Sequence, residues 1–197
     1  MSKIPFRSKT PERNPNQSKK ARYTAYFDQL KKDFNSRCGY CDSFDLRRTN
    51  DFEIDHFVPQ RVFSKLKHND YHNLVYSCKS CNRSKRGTWP SDDETVAIVG
   101  NSGFVDPCLP EYNSHFSRYE NGEIDWESDL GIWMYRELSL FNPKHSILWQ
   151  LEKLMGAIEE AKTIVEKNSE NLKLNKGLSA LFLIQENYLD KLFDVKR

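Results

Sequence analysis

The feature that most constrains this chain is a pair of Cys-x-x-Cys knuckles, Cys38-Gly39-Tyr40-Cys41 and Cys78-Lys79-Ser80-Cys81. A two-residue gap lets both sulfurs of a knuckle reach one ion, and four thiolates complete the shell of a tetrahedral zinc. Two disulfides would be the alternative. They do not suit a chain that opens without a signal peptide and reads as cytoplasmic. Cys38, Cys41, Cys78 and Cys81 are therefore expected to hold a structural Zn²⁺. The knuckles stand 37 positions apart, farther than in a minimal zinc ribbon, so the insert must fold into something of its own.

The insert carries Glu53-Ile54-Asp55-His56-Phe57-Val58-Pro59. Phe52, Ile54, Phe57 and Val58 make Phe52–Pro59 read as a short strand. Alternation puts Glu53 and Asp55 on one face, with His56 pointing the other way unless the strand ends or bulges there. A carboxylate beside an imidazole suits metal-assisted phosphodiester cleavage. The carboxylate can hold a hard cation, and a histidine can take a proton from water near neutral pH. The cation neutralises charge on the scissile phosphate. An isolated Asp-His is more often a surface pair. Here it lies inside a zinc-bracketed insert and is followed by Asn73 and Asn82.

On these residues the segment resembles the HNH endonucleases. The resemblance covers about a quarter of the chain, from Cys38 to Lys85. It implies an α+β fold: a small ββα-metal core with its four-cysteine zinc site, flanked by an N-terminal helix and a C-terminal helical region. It also implies the site. Asp55 and Asn82 correspond to the catalytic metal ligands, His56 to the general base, and Asn73 to the Asn that braces the loop. Asn82 stands directly after Cys81, where many members have His, so this chain is a His-Asn-Asn variant. Oxygen donors at that position favour Mg²⁺ or Mn²⁺. Glu53, on the Asp55 face, is either a supporting carboxylate or a solvated strand residue. The implied reaction has His56 deprotonating a water that attacks phosphorus in line. The cation on Asp55 and Asn82 neutralises the leaving 3′-oxygen, and the ends are 5′-phosphate and 3′-hydroxyl. DNA is the expected substrate because most relatives cut DNA. Several stand-alone relatives of this size are encoded beside an ATPase in bacterial anti-phage systems, which makes an ATPase partner and antiviral defence an expectation by analogy.

Charge is divided unevenly along the chain. Residues 1–89 hold 19 Lys/Arg against 9 Asp/Glu, and residues 90–197 hold 11 against 19, behind a formal net charge of only +2. A basic half around the Asp-His pair fits a polyanionic substrate. Arg61, Arg83, Lys85 and Arg86 are the expected phosphate contacts, although Lys and Arg in a last helical turn also complement the helix dipole. The acidic half suits packing, a protein partner or an oligomer. No apolar run approaches the ~20 residues of a membrane span, so no membrane partner is expected.

Four regions follow along the chain. Residues 1–18 are Pro-interrupted and basic and read as a flexible arm. Residues 19–89 form the nuclease unit. It opens on an amphipathic helix over 19–35 (Tyr23, Tyr26, Phe27, Leu30, Phe34), includes a polar loop over 42–51 with Arg47-Arg48, and closes on a short helix ended by Gly87. Residues 90–125 read as an irregular linking segment with a short strand at Val96–Val99 and one strand of a hairpin, Phe116–Tyr119 with Glu123–Trp126, around Asn121-Gly122. Residues 126–197 are helical, with a helix over 129–141, an Asn142-Pro143 start signal, and a heptad-like seam from Ile147 to Val165. A break at Asn168-Ser169 and a further apolar helix suggest an antiparallel pair. Cys108 reads as a buried free thiol and His115 as structural; His68 and His72 fit no pattern. The rival expectation is a zinc-stabilised module that binds nucleic acid, or serves assembly, without cutting.

Overall fold

The computed structural model describes residues 2–46 and 52–194. Strand β1 (Lys3–Pro5) comes first, then a 3-10 turn (Tyr23–Tyr26) leading into helix α1 (Phe27–Asp33). Strands β2 (Phe52–His56) and β3 (Leu74–Cys78) precede helix α2 (Lys79–Lys85). Next come β4 (Ile98–Val99), β5 (Ser102–Gly103), α3 (Glu111–Ser114), β6 (Phe116–Tyr119) and β7 (Ile124–Trp126). Helices α4 (Asp129–Glu137), α5 (Lys144–Lys167) and α6 (Leu172–Asp194) complete the described chain. The fold is α+β, as expected. The Arg47-Arg48 part of the anticipated polar loop lies outside the described residues.

β2 and β3 pair antiparallel, with Phe52 opposite Cys78, Asp55 opposite Val75 and His56 opposite Leu74. α2 follows β3 without an intervening loop, which makes a ββα unit. β3 is buried along its whole length because both its faces are covered. Tyr76 is sandwiched by aromatic rings, stacking on Phe52 at 4.6 Å and meeting Phe27 edge-on at 5.3 Å. α1 sends Leu30 into the same core, joined by Phe34 just after its last turn. The first knuckle is pressed against this core: a Cβ at Gly39 would lie 2.7 Å from the Phe34 ring and 2.8 Å from Val75 Cγ1, so only glycine fits there. The helix expected over 19–35 starts at Tyr23 as a 3-10 turn, with no side-chain cap from Arg22, and its α-helical part is Phe27–Asp33. α2 ends at Lys85. The left-handed residue after it is Arg86, with φ 50°, not Gly87.

The flexible arm is corrected. Residues 2–18 form a packed strap. β1 adds to the free edge of β6 and makes a three-stranded sheet in the order β1-β6-β7. Phe6 is buried against Tyr112 and Phe116. The Arg7 guanidinium donates to the Gly39 carbonyl at 2.9 Å, and Arg13 Nε donates to the Leu74 carbonyl at 2.8 Å. Arg13 also pairs with Asp106 at 2.8 Å. The prolines and charges conceal this, since the strap is held by long-range contacts rather than by a local period.

Residues 90–125 are more ordered than expected, with the β4–β5 hairpin, α3 and most of the β6–β7 hairpin, which turns at Gly122 with φ 87°. Val96–Val99 contributes only Ile98–Val99 as strand. The Ser128 hydroxyl caps α4, accepting from Gly131 N at 2.9 Å, and His115 Nδ1 lies 2.6 Å from the same hydroxyl. α4 stops at Glu137, short of the anticipated 141. Asn142 Oδ1 accepts from Lys144 N at 2.9 Å and starts α5. α5 and α6 form the antiparallel pair. Leu148, Leu151 and Leu192 pack with Leu46 in a second small core, and Arg37 of the first knuckle's approach pairs with Glu152 of α5. Leu172, Leu183 and Phe193 stay exposed. No described helix is long and apolar enough to cross a membrane.

Candidate active site and zinc site

The four knuckle cysteines converge. Cys38, Cys41, Cys78 and Cys81 are buried, and their Sγ atoms all lie within 4.8 Å of one another. Cys41 Sγ and Cys78 Sγ are 3.8 Å apart. Zinc–sulfur bonds of ~2.3 Å arranged tetrahedrally give sulfur–sulfur edges of about 3.8 Å, so the cluster has the size of a zinc cage. Contacts with Cys38 and Cys41 push the Cys78 thiol well up, and burial pushes Cys81 well up. Cys41 is lowered despite burial, because the other three thiols all engage its sulfur. Four thiolates cannot share this buried space unless a cation balances them. The Cys78 sulfur also caps α2, accepting from Cys81 N at 3.5 Å.

The strand β2 and the helix α2 meet face to face as two rungs. In the first, Asn82 Nδ2 donates to Glu53 Oε2 at 2.7 Å, with Lys79 Nζ 3.9 Å from the same carboxylate. In the second, Lys85 Nζ lies 2.9 Å from Asp55 Oδ2 and also donates to the His56 carbonyl at 2.9 Å. Strand alternation aligns Glu53 with Asp55, and helical spacing aligns Asn82 with Lys85. The Tyr40 hydroxyl, from inside the first knuckle, donates to the same Asp55 oxygen at 2.5 Å. Burial pushes the Asp55 carboxyl above its ordinary value, against the opposing pull of the Lys85 ammonium and the Tyr40 hydroxyl.

His56 takes the opposite face of β2, half-buried, with the Tyr23 ring at 5.0 Å and Phe63 at 5.9 Å. Its Nε2 is 2.8 Å from the His68 carbonyl. A carbonyl only accepts, so Nε2 carries a proton, and in the neutral imidazole Nδ1 is the nitrogen with the lone pair. Gln60 Nε2 approaches the ring at 3.4 Å. Asp55, His56, Gln60, Arg61 and Arg86 line one groove of about 290 Å³. Asn82 opens instead into an adjacent hollow of about 410 Å³, with Glu53, Tyr23 and Phe27. Asp55 and His56 thus share a groove, and Asn82 sits one rung away beside Glu53. The oxygen donors of Asp55, Glu53 and Asn82 are those a hard cation takes.

Asn73 is buried and spans the turn after β2, accepting from Val58 N at 2.8 Å and donating to the Val58 carbonyl at 3.1 Å. Of the basic residues expected on phosphate, Arg83 and Arg86 are exposed on and beside α2. Lys85 is a correction: its side chain is fully buried and ion-paired with Asp55, so it cannot reach a phosphate as an exposed cation. Arg61 is partly committed, since its Nε donates to the Gly87 carbonyl at 2.6 Å and its Nη2 to the Trp89 carbonyl at 3.1 Å. Sequence reasoning missed Tyr40, Gln60 and the His68 carbonyl. A tyrosine between two cysteines carries no signal of its own, and a main-chain carbonyl has none in any sequence.

The family model described as HNH endonuclease matches residues 38–87. This chain carries an HNH endonuclease domain. The HNH segment takes in both knuckles, the Asp55-His56 pair, Asn73 and Asn82. Among curated proteins, the chain is 28% identical to the Septu protein PtuB of Bacillus mycoides (strain KBAB4) over 184 residues, covering 81% of this chain and 59% of that protein. It is 36% identical to the Septu protein PtuB of Bacillus thuringiensis over 85 residues, covering 43% of this chain and 29% of that protein. The chain therefore spans less than two thirds of either relative. No solved structure matches it.

Proposed function

We propose that the chain is a metal-dependent endonuclease that hydrolyses nucleic-acid phosphodiester bonds, with DNA as its substrate. The observation that carries this reading is the shared groove of Asp55 and His56, with Nδ1 of His56 left as the acceptor nitrogen. Asp55 and Asn82 would hold Mg²⁺ or Mn²⁺, which when bound would neutralise charge on the scissile phosphate and the leaving oxygen. His56 is oriented through Nε2 by the His68 carbonyl, and its Nδ1 takes the proton of the attacking water. Asn73 holds the turn that carries the chain out of the His56 strand. Arg83 and Arg86 grip phosphates beside the cut, and the zinc cage keeps β3 and α2 in register with the first knuckle.

The wider role we assign is the nuclease subunit of a bacterial anti-phage system, acting in the cytoplasm with an ATPase partner that docks on the C-terminal helices. Several stand-alone HNH relatives of this size have that arrangement, and the likeness to two Septu proteins PtuB supports the analogy. The test is supercoiled plasmid with Mg²⁺ or Mn²⁺, wild type beside His56→Ala, repeated with the proteins encoded alongside. Nicking or linearisation by wild type alone supports the enzyme and its base together. Equal cutting by both removes His56 from the chemistry. Metal-independent binding without cutting in every mixture favours the non-catalytic module.

A further inference from the structure

Both contacts described for the Asp55 carboxylate fall on one oxygen. Tyr40 OH donates to Oδ2 at 2.5 Å, and Lys85 Nζ lies 2.9 Å from the same atom. Both partners are fully buried, and the Asp55 side chain is 7% exposed. Asp55 nevertheless lines the groove that His56 lines. Two donors converging on Oδ2 fix the carboxylate's torsion and leave Oδ1 as the oxygen without a described partner. The second end of each donor also matters. Tyr40 lies between the zinc-cluster residues Cys38 and Cys41, and its own carbonyl is held by Tyr112 OH at 2.8 Å. Lys85 closes α2, and its ammonium also reaches the His56 carbonyl at 2.9 Å. Its charge lies 5.5 Å from the Phe104 ring and 6.0 Å from the Tyr40 ring, a close-packed setting with no other anion described.

We propose that Tyr40 and Lys85 are positioning residues that clamp Oδ2 of Asp55, so that the catalytic cation is taken by Oδ1 alone, and that Tyr40 thereby ties the geometry of this ligand to the zinc knuckle. The inference rests on Asp55 as a ligand of the catalytic metal. Groups that orient a ligating carboxylate typically account for 10–100-fold in metal affinity or activity. The knuckle then does more than hold the fold, because the loop that wraps the zinc also sets where the groove's carboxylate points. Lys85 links that carboxylate to the main chain of the residue supplying the base, so the ligand and the base move as one piece.

The experiment is Mn²⁺ binding to the full zinc-loaded chain, followed by electron paramagnetic resonance of free Mn²⁺, for wild type, Asp55→Asn, Tyr40→Phe and Lys85→Gln. Zinc content and circular dichroism are measured on each sample. Tyr40→Phe keeps the buried ring and removes only the hydroxyl. Expected is Mn²⁺ affinity abolished in Asp55→Asn and weakened at least tenfold in Tyr40→Phe and Lys85→Gln, with zinc content unchanged, and cleavage by Tyr40→Phe partly restored at high Mn²⁺. A merely structural contact would lower the melting temperature without moving the metal affinity of the folded fraction. Wild-type affinity in Asp55→Asn would remove Asp55 from the metal site and the functional assignment with it. Loss in Asp55→Asn beside wild-type affinity in a folded Tyr40→Phe or Lys85→Gln would overturn the clamp and leave that assignment standing. If neither variant folds with its zinc, the two contacts are core contacts and the clamp is withdrawn.

Discussion

The carboxamide of Asn73 satisfies both ends of the Val58 main chain, accepting its N–H at 2.8 Å and donating to its carbonyl at 3.1 Å. One side chain thereby replaces the strand partner that β2 loses after His56, where Phe57 N still reaches the Asn73 carbonyl at 2.8 Å. Removing it leaves two buried main-chain groups without partners, at about 1–3 kcal/mol each. Asn73→Ala should therefore melt below wild type by several degrees and lose most cleavage. Asn73→Asp should fall between the two, because it can still accept from Val58 N but cannot donate back. Thermal melts and plasmid nicking on the three proteins check the order.

The four-cysteine cluster makes a separate prediction. Replacing Cys78 removes one of the four clustered sulfurs and the cap of α2 at once. Metal binding and folding are coupled in such cages, so Cys78→Ser should lose zinc and cooperative melting together. A strong chelator should do the same to the wild-type chain. Zinc content by atomic absorption alongside circular dichroism decides it, and a variant that melts like wild type would exclude a zinc-dependent fold.

Glu94 offers a test in pH. Its carboxylate accepts from the backbone N–H groups of Ser64 at 2.7 Å, Lys65 at 3.0 Å and Leu66 at 3.1 Å. The Ser64 bond is the largest cause that holds its pKa down to about 2, from an ordinary 4.5. A depressed folded value stabilises the fold above the unfolded pKa, and that contribution fades as pH falls from about 4.5 through about 2. Glu94→Gln should accordingly melt lower than wild type at pH 6, with the gap closing towards pH 2. A gap that does not change with pH would mean the carboxylate's charge is not what holds this loop.

Arginines that touch phosphate should be separable from arginines that hold the fold. Arg83 is exposed on α2, so Arg83→Ala should weaken nucleic-acid binding and reduce the salt slope by about one phosphate contact, with the melting temperature unchanged. Arg61→Ala should lower the melting temperature as well, because it ties the Gly87 and Trp89 carbonyls. Binding titrations across a salt series, read beside melts, separate the two roles.

The four-cysteine cluster and the ββα order are legible in the sequence because both depend on short local signals: cysteine spacing, a strand signature, and an Asn directly after a knuckle. The β6–β7 hairpin and the α5–α6 pair are legible for the same reason, through Asn121-Gly122 and the Ile147–Val165 seam. Long-range contacts are not. Arg7 and Arg13 read as tail charges until Gly39, Leu74 and Asp106 are placed beside them. Lys85 reads as a phosphate contact because helix-end basicity looks the same whether the ammonium faces solvent or a buried carboxylate. Asp55 and His56 stand out as a pair, but the partners that set their geometry, Tyr40 OH and the His68 carbonyl, lie 15 and 12 positions away.

The N-terminal strap has a consequence for synthesis. β1 has no partner until β6 has been made, more than a hundred residues later. During translation, the segment carrying both knuckles and the Asp-His pair leaves the ribosome with its first strand still unpaired and Arg13 still without Asp106. The β1-β6-β7 sheet can close only once β6 has emerged, so an interrupted chain ending near residue 90 would hold both knuckles, Asp55, His56, Asn73 and Asn82 and lack the strand that Lys3–Pro5 joins.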